Sequence, residues 1–522
     1  MCGILFSLTD RDHNNQFSTA WDELVPYIKQ RGPSSCDEIS VDAGSKQLKF
    51  LSSVLSLRLP FTKQPIQDSS GDILQFNGEL YNPEVENNDT VFFLEKLQHK
   101  GVLPTLQALR GEYAFVYYES HTQKIWFARD CIGRRSLLYS CINGQLFITS
   151  VPSIGPVENL QEVPGGKVLS YDLNDLNLTS YTWDYGSSSH IQLQYPYSQI
   201  SPDSSVPYNE NEAVVELEQL LRESAGKRLF NIPQMDVASP RISVLFSGGL
   251  DCTLLGMFID DLLAPGETVD LLNVAFENKR VGGGYNTPDR KLGKRSWLEL
   301  EARSRSKYGR SSKRFRFIEI DVPFDEMMEH RPIVQHLMWP KDSVMDLSIA
   351  LAFYFASRGQ GILYHFDDSL SIQHTKADYT TPSKVLMSGL GADELFGGYT
   401  RHTTQLRRDG YESLSSELQL DFNRLHERNL GRDDRVCATW ARELRYPFLD
   451  EQVVAWAMKC NLRLKVNSDE PDKDTKYILR LIAEKNNLPQ VSLEKKRAIQ
   501  FGARSAKMEV GDSKIKGTDK IQ

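Results

Sequence analysis

Val244-Leu245-Phe246-Ser247-Gly248-Gly249-Leu250-Asp251 is the stretch that decides how this 522-residue chain is read. The apolar run from Ile242 to Phe246 predicts a buried strand, and Ser247-Gly248-Gly249 predicts a tight turn. A helix then starts near Asp251 and carries Leu254, Leu255, Met257 and Phe258 inward. Glycines let a backbone approach a ligand without a Cβ in the way. The helix start supplies unpaired N–H groups and the positive end of its dipole to an anion. Ser247 adds a hydroxyl, and Asp251 can hold a cation beside phosphates. The pattern differs from the G-x-x-x-x-G-K-[ST] loop. Two readings follow from these residues: a phosphate cradle, or a glycine turn that only packs.

Working outward, strands at Leu271–Phe276, Phe315–Ile320 and Val385–Met387 alternate with helices, which predicts a parallel sheet covered by helices. Ligands bind at the strand ends of such sheets. The last strand enters Ser388-Gly389-Leu390-Gly391-Ala392-Asp393-Glu394, a second glycine-rich turn before a helix. Asp251 and Asp393, one from each turn, can share a hard, oxygen-ligated cation such as Mg²⁺. A helix from Glu212 to about Arg228 leads into the sheet. Leu347, Leu351, Tyr354 and Phe355 form an apolar stripe that predicts core. The segment 279–316 holds thirteen Lys or Arg against three Asp or Glu. It reads either as a flap drawn to ATP or nucleic acid, or as a solvated insertion, and the second is favoured.

The other end of the chain begins Met1-Cys2-Gly3-Ile4-Leu5-Phe6. Removal of Met1 leaves Cys2 with both a thiol and an α-amine (ordinary pKa about 7.7–8.0), so one residue supplies nucleophile and base. Ser53 to Leu59 predicts a strand ending at Arg58. Ile73 to Phe76 predicts another that enters an Asn77-Gly78 turn, where an amide and a backbone N–H can meet an oxyanion. One such donor is worth roughly 2.7–4 kcal/mol in the transition state. Glu79 and Arg58 can bind the α-amine and α-carboxylate of an amino acid. Strands at Tyr113–Tyr118, Ile125–Arg129, Ser136–Tyr139 and Gln145–Thr149 predict stacked sheets. Polar residues from Gly186 to Glu212 mark a connector.

Composition narrows the class. The chain is 40% hydrophobic and 25% charged with a net charge of −8, which argues against nucleic acid as a partner. No apolar run is long enough to span a bilayer. The first residues lack a signal-peptide pattern, and seven scattered cysteines fit a reducing compartment, so the cytoplasm is the expected location.

Cys2, Arg58, Asn77, Gly78 and Glu79 resemble the N-terminal-nucleophile glutaminase domain of class II glutamine amidotransferases. That resemblance implies Cys2, Asn77 and Gly78 as catalytic and Arg58, Asn77, Glu79 and Asp89 as glutamine-binding. Ser-Gly-Gly-Leu-Asp (247–251), Ser-Gly-x-Gly-Ala-Asp-Glu (388–394), Arg-x-Pro-Phe-Leu-Asp (445–450) and Lys-x-x-Leu-Arg (476–480) resemble the synthetase domain of glutamine-hydrolysing asparagine synthetases. In style the chain is similar to the asparagine synthetase domain-containing group. The resemblance implies an α+β glutaminase sandwich over 1–185 and a linker over 186–212. An α/β parallel-sheet ATP-pyrophosphatase domain, of the adenine nucleotide alpha hydrolase type, follows over 213–510, with a tail over 511–522. It further implies ATP on Leu245, Ser247, Gly248, Gly249, Asp251, Val274, Ser388 and Gly389, and Mg²⁺ on Asp251 and Asp393. Lys496, with Lys495 and Arg497 as rivals, would be the late lysine that neutralises an acyl-adenylate. The implied substrates are glutamine, ATP and a carboxylic acid, aspartate being favoured. Ammonia would pass internally from glutamine to the adenylate. A homodimer is left open. Two departures stand out. Leu390 occupies the position where asparagine synthetases carry a glutamate, which leaves as the alternative a half-active or non-catalytic relative with a different acceptor or a scaffold role, and Cys252 replaces the usual serine.

Overall fold

The computed structural model describes residues 2–10, 16–155, 157–186, 193–203, 207–233, 239–309, 314–506, 508 and 516–521. Met1, parts of the connector (187–192 and 204–206), residues 310–313 of the basic segment and 511–515 of the tail lie outside them. The chain forms two compact units. One comprises residues 1–195, 335–341 and 425–443, and the other comprises 196–334, 342–424 and 444–522. The units therefore cut across the linear segmentation read from the sequence, because two later stretches join the N-terminal unit.

That unit is built on two sheets. The first has six strands in the order Gln161–Glu162, Leu138–Ile142, Gln145–Thr149, Cys2–Asp10, Lys46–Val54, Ser35–Ala43. The second has seven, and its centre runs Lys167–Asp172, Lys124–Arg129, Gly111–Glu119, Ile73–Leu80. Period-two alternation aims one side of each strand at the other sheet. Ile4, Phe6, Leu8, Leu48 and Phe50 thereby meet Ile73, Val116, Tyr118, Ile125 and Phe127 in one buried cluster.

Two expectations for this unit are corrected. The strand Lys46–Val54 stops at Val54, so Arg58 lies beyond it in irregular chain rather than at a strand end. Asn77-Gly78 is no turn: both lie inside the strand Ile73–Leu80, Asn77 opposite Ala114 and Gly78 opposite Tyr113. Long cross-strand pairing on Gly111–Glu119 overrides the local turn preference of Asn-Gly. Gly78 keeps a positive φ of 152°, and a Cβ there would lie 2.1 Å from the Glu112 carbonyl oxygen.

The second unit is a seven-stranded sheet ordered Ile372–Thr380, Gln360–Phe366, Phe315–Val322, Val269–Phe276, Ile242–Leu245, Val385–Met387, Glu443–Arg445. Its four inner strands, Phe315–Val322 to Val385–Met387, run parallel, and the pair ending at Thr380 is antiparallel. The helix Glu210–Phe230 precedes it, capped by the Asn209 side chain, with Glu210 and Glu212 at its start and Lys227 and Arg228 at its end. Those charges suit the helix dipole. The helix Val344–Arg358 buries Leu347, Leu351, Tyr354 and Phe355, as its stripe predicts.

The basic segment is a further correction. It contains the helix Pro288–Tyr308, started by the Thr287 cap with Pro288 in the first turn and ended by Gly309 in the left-handed region. Trp297 is fully buried against Phe317 and Phe366. Arg290 pairs with Glu319 and Asp321, and Arg303 with Asp261. Paired arginines, rather than a solvated insertion, explain much of that positive charge. Charge counting missed this because the acidic partners lie elsewhere in the sequence.

Candidate functional site

Each unit carries a cluster of predicted residues, and the two are taken separately. In the N-terminal unit Cys2 opens the central strand of its sheet and is 7% exposed. Its backbone nitrogen donates to Asn77 Oδ1 at 2.8 Å. Gly3 N donates to Ser53 Oγ at 3.1 Å, and Arg31 Nε donates to the Cys2 carbonyl oxygen at 3.2 Å. Arg31 is in turn held by Asp434 at 2.9 Å. With its oxygen engaged, Asn77 has its Nδ2 buried and without a hydrogen-bond partner among the described residues. An unmet buried donor costs about 1–3 kcal/mol, so its presence on a residue bonded to Cys2 marks a place prepared for an acceptor.

Arg58 Nη2 donates to Glu79 Oε2 at 3.1 Å and to the Leu80 carbonyl at 3.0 Å. Asp89 starts a helix capped by Asn88 and accepts from Leu80 N at 3.2 Å. Arg58 Nε lies 4.0 Å from Asp89. Burial and then the neighbouring Glu79 push the Asp89 carboxyl up to about 7, against the pull of Arg58. Burial also raises the Cys2 thiol above its ordinary value. Cys2, Arg58, Gly78, Glu79 and Asp89 line one pocket with about 370 Å³ of free space, partly open to solvent. A cationic guanidinium and two carboxylates lining the same pocket as a thiol suit a zwitterionic amino acid. Sequence reading passed over Gln64, which also lines this pocket. A lone Gln-Pro step carries little signal without the fold.

In the second unit the strand Ile242–Leu245 ends at the Ser247 turn, and the helix Leu250–Leu262 begins at Gly249. The two glycines divide between the readings open at the outset. Gly248, at φ 85°, faces another helix: a Cβ would lie 2.5 Å from Gly293 N, and Ser296 Oγ donates to the Gly248 carbonyl at 2.6 Å. That side of Gly248 is taken up by packing. A Cβ on Gly249 would meet only Ser247 Oγ, at 3.4 Å, so that face stays open. Leu245 is half-buried at the strand end, and Val274 is buried on the neighbouring strand. Cys252 donates to the Gly249 carbonyl at 3.3 Å, so its thiol supports the turn.

The second glycine-rich turn differs from expectation. Its helix, Ala392–Phe396, has five residues, too few for a useful dipole, so side chains must carry its charge chemistry. Ser388 is buried and its N–H donates to the Arg445 carbonyl at 3.0 Å, while its Oγ accepts from Leu390 N. A Cβ on Gly389 would lie 2.9 Å from the Asp251 Cβ, so the two turns are in close contact.

Between them stands Lys476, whose Nζ lies 2.6 Å from Asp251 and 2.6 Å from Asp393. Lys496 also reaches Asp393. Burial alone would raise the Asp393 carboxyl, but Lys476 and Lys496 outweigh it and hold it well below the usual range. Burial and the adjacent Asp393 push Glu394 the other way, to about 7, and Tyr399 donates to it at 2.6 Å. Asp289 is likewise lifted to about 7 by burial, opposed by Arg497 and Lys496. The sequence places Lys476 in a motif without pointing to a role for it. Its placement between two carboxylates depends on contacts spanning 225 residues.

No group of three or more His, Cys, Asp or Glu suited to a metal occurs among the described residues. Asp251 Oδ1 is nevertheless buried and without a hydrogen-bond partner among them. Two carboxylates with a spare oxygen fit an ion such as Mg²⁺, which takes one or two carboxylates and completes its shell with phosphates and water. No helix among the described residues is long and apolar enough to cross a membrane.

Comparison with known proteins places this geometry. A model of the asparagine synthase family matches residues 364–414 and 407–516, and a glutamine amidotransferase domain model matches 55–154. Asparagine synthetase domain-containing protein YML096W of Saccharomyces cerevisiae is 38% identical, covering 97% of this chain and 92% of its own length. Asparagine synthetase domain-containing protein 1 of Homo sapiens is 31% identical, covering 98% and 96%. The putative glutamine-hydrolyzing asparagine synthetase 1 of Methanocaldococcus jannaschii is 25% identical over 80% and 70%. A glutamine amidotransferase domain thus precedes an asparagine synthase domain, and the chain belongs to the asparagine synthetase domain-containing protein family.

Proposed function

We propose that the chain is a glutamine-dependent ligase that releases ammonia from glutamine at Cys2 and adds it to an acyl-adenylate made from ATP and a carboxylic acid. The observation that carries this reading is the pairing of Cys2 N with Asn77 Oδ1 while Asn77 Nδ2 has no partner among the described residues. With Met1 removed, the α-amine of Cys2 takes the thiol proton, and the sulfur attacks the side-chain carboxamide carbon of glutamine. Asn77 Nδ2 donates to the oxyanion, and collapse expels ammonia, leaving a thioester that water hydrolyses to glutamate. Arg58 holds the substrate carboxylate, while Glu79 and ionised Asp89 hold its ammonium.

In the second unit the open face of Gly249, the start of Leu250–Leu262 and Ser247 would receive the phosphates. Asp251 and Asp393 would hold Mg²⁺, which neutralises phosphate charge when bound. Lys476 would stabilise the departing pyrophosphate, and Lys496 the adenylate. The acid's carboxylate attacks the α-phosphorus and releases pyrophosphate. Ammonia then attacks the acyl carbon and releases AMP. Aspartate is the favoured acid, in a cytoplasmic setting.

Leu390 supports a second reading, in which the acceptor is another acid. It stands half-exposed where asparagine synthetases present a glutamate, and its side chain can neither accept a proton nor bind an ammonium. Isotope exchange between pyrophosphate and ATP tests both. Exchange dependent on aspartate supports the first, exchange only with a different acid supports the second, and exchange with no acid removes the ligase proposal. Glutamine-supported turnover that survives Cys2→Ala removes the glutaminase assignment.

A further inference from the structure

Gln64 is 2% exposed, and both ends of its amide are engaged. Phe76 N donates to Gln64 Oε1 at 2.7 Å, and only the carbonyl end of an amide can accept that proton. The opposite end, Nε2, therefore faces the remaining neighbours, Thr90 Oγ1 at 3.3 Å and Cys2 Sγ at 3.7 Å. Backbone geometry fixes this orientation, since Phe76 lies inside the strand Ile73–Leu80 directly before Asn77. A residue positioned by one side of the pocket thus aims an N–H at the sulfur that must carry charge.

We propose that Gln64 is a further catalytic residue of the thiol site: its side-chain amide donates to the Cys2 sulfur and stabilises it as the thiolate. The inference rests on Cys2 being the nucleophile. Its physical need is plain, because the sulfur is buried and faces Asp89 and Glu443, both of which disfavour a negative charge there. Among the described residues, Glu79, Arg58 and Arg31 are further charged groups near Cys2, and the chain's amino terminus also acts on the thiol, favouring the thiolate. The Leu55 backbone N–H is the other hydrogen-bonding group acting on the thiol. Donation from Gln64 supplies a neutral counterweight that leaves the pocket's charges free for substrate.

The test is the pH dependence of Cys2 alkylation by iodoacetamide, followed by mass spectrometry on the full-length protein, with Cys2→Ala as the blank. Gln64→Glu keeps an acceptor for Phe76 N–H but loses the donor. Gln64→Met loses both without adding charge. In Gln64→Glu the alkylation midpoint should move to higher pH, with the rate at pH 8 down about tenfold. In Gln64→Met the rate should fall about fivefold, the worth of one neutral hydrogen bond. Glutaminase kcat should fall in step while the KM for glutamine changes less. Circular dichroism and thermal melts establish that each variant is folded, and either alone suffices. A folded variant whose alkylation profile overlays that of the wild type overturns the role of Gln64. Glutaminase activity that survives Cys2→Ala overturns the underlying assignment instead, so the two failures are distinct.

Discussion

Next to Cys2 a neutral buried donor, Asn77 Nδ2, is left open, whereas the carboxylates of Asp251 and Asp393 are already paired with lysine. Asn77 Nδ2 has no partner among the described residues, and the Asp89 carboxyl sits near 7, undecided between two states. In the second unit Lys476 bridges Asp251 and Asp393, and Lys496 adds a second cation to Asp393. The contrast teaches that the two sites meet ligands differently. On the proposed reading, the thiol pocket is preorganised, so its donors need no rearrangement when an oxyanion forms. On the same reading, the carboxylate–lysine cluster would exchange internal ion pairs for phosphate and metal, so its charges serve stability when no ligand is bound.

Ways to break that contrast can be ranked. The largest effect belongs to Cys2→Ala, which should abolish glutamine-supported turnover and leave ammonia-supported turnover intact, measured with each nitrogen source in turn. Next is Lys476→Met. Removing the cation from a mostly buried cluster should cost about 3–5 kcal/mol in urea unfolding. The sign with pH is defined. The lowered Asp393 carboxyl contributes stability that is complete above its unfolded value of about 3.9 and is lost as pH falls through its folded value. The variant should therefore lose most stability near neutral pH and little in acid. A flat difference across that range would mean that the bridge is not what stabilises the cluster.

Asn77→Ala should follow, lowering kcat by about 10²–10³ with a small change in KM, as expected for one oxyanion donor. An equal rise in KM with kcat unchanged would recast Asn77 as a ground-state binder. The smallest effect concerns Asp89. Ammonium binding requires its ionised form, so the KM for glutamine should fall as pH rises from 6 to 8, about tenfold across the titration near 7. Asp89→Asn should flatten that dependence. Because the folded value is raised, protonated Asp89 favours the fold, fully so below about pH 3.9, and that stabilisation fades as pH rises through 7. A melting profile for Asp89→Asn that is less pH-sensitive than wild type would show it.

The sequence by itself determined the class of each unit. Alternating apolar residues dictated the stacked sheets around Phe6 and Phe127, and strand–turn–helix patterning around Ser247 dictated the parallel sheet, because such periodicities are local. It also brought forward Cys2, Arg58, Asn77, Glu79, Asp251 and Asp393 as residues whose chemistry suits their motifs. Tertiary structure alone decided the rest. Strand pairing turned Asn77-Gly78 from a turn into strand interior, and the approach of Gly293 made the absence of a Cβ at Gly248 a packing requirement. Contacts across the sequence put Lys476 between two carboxylates and Gln64 against a thiol. Those outcomes depend on which distant segments share space, and a buried charge or donor acquires its meaning only from the partner it is folded against.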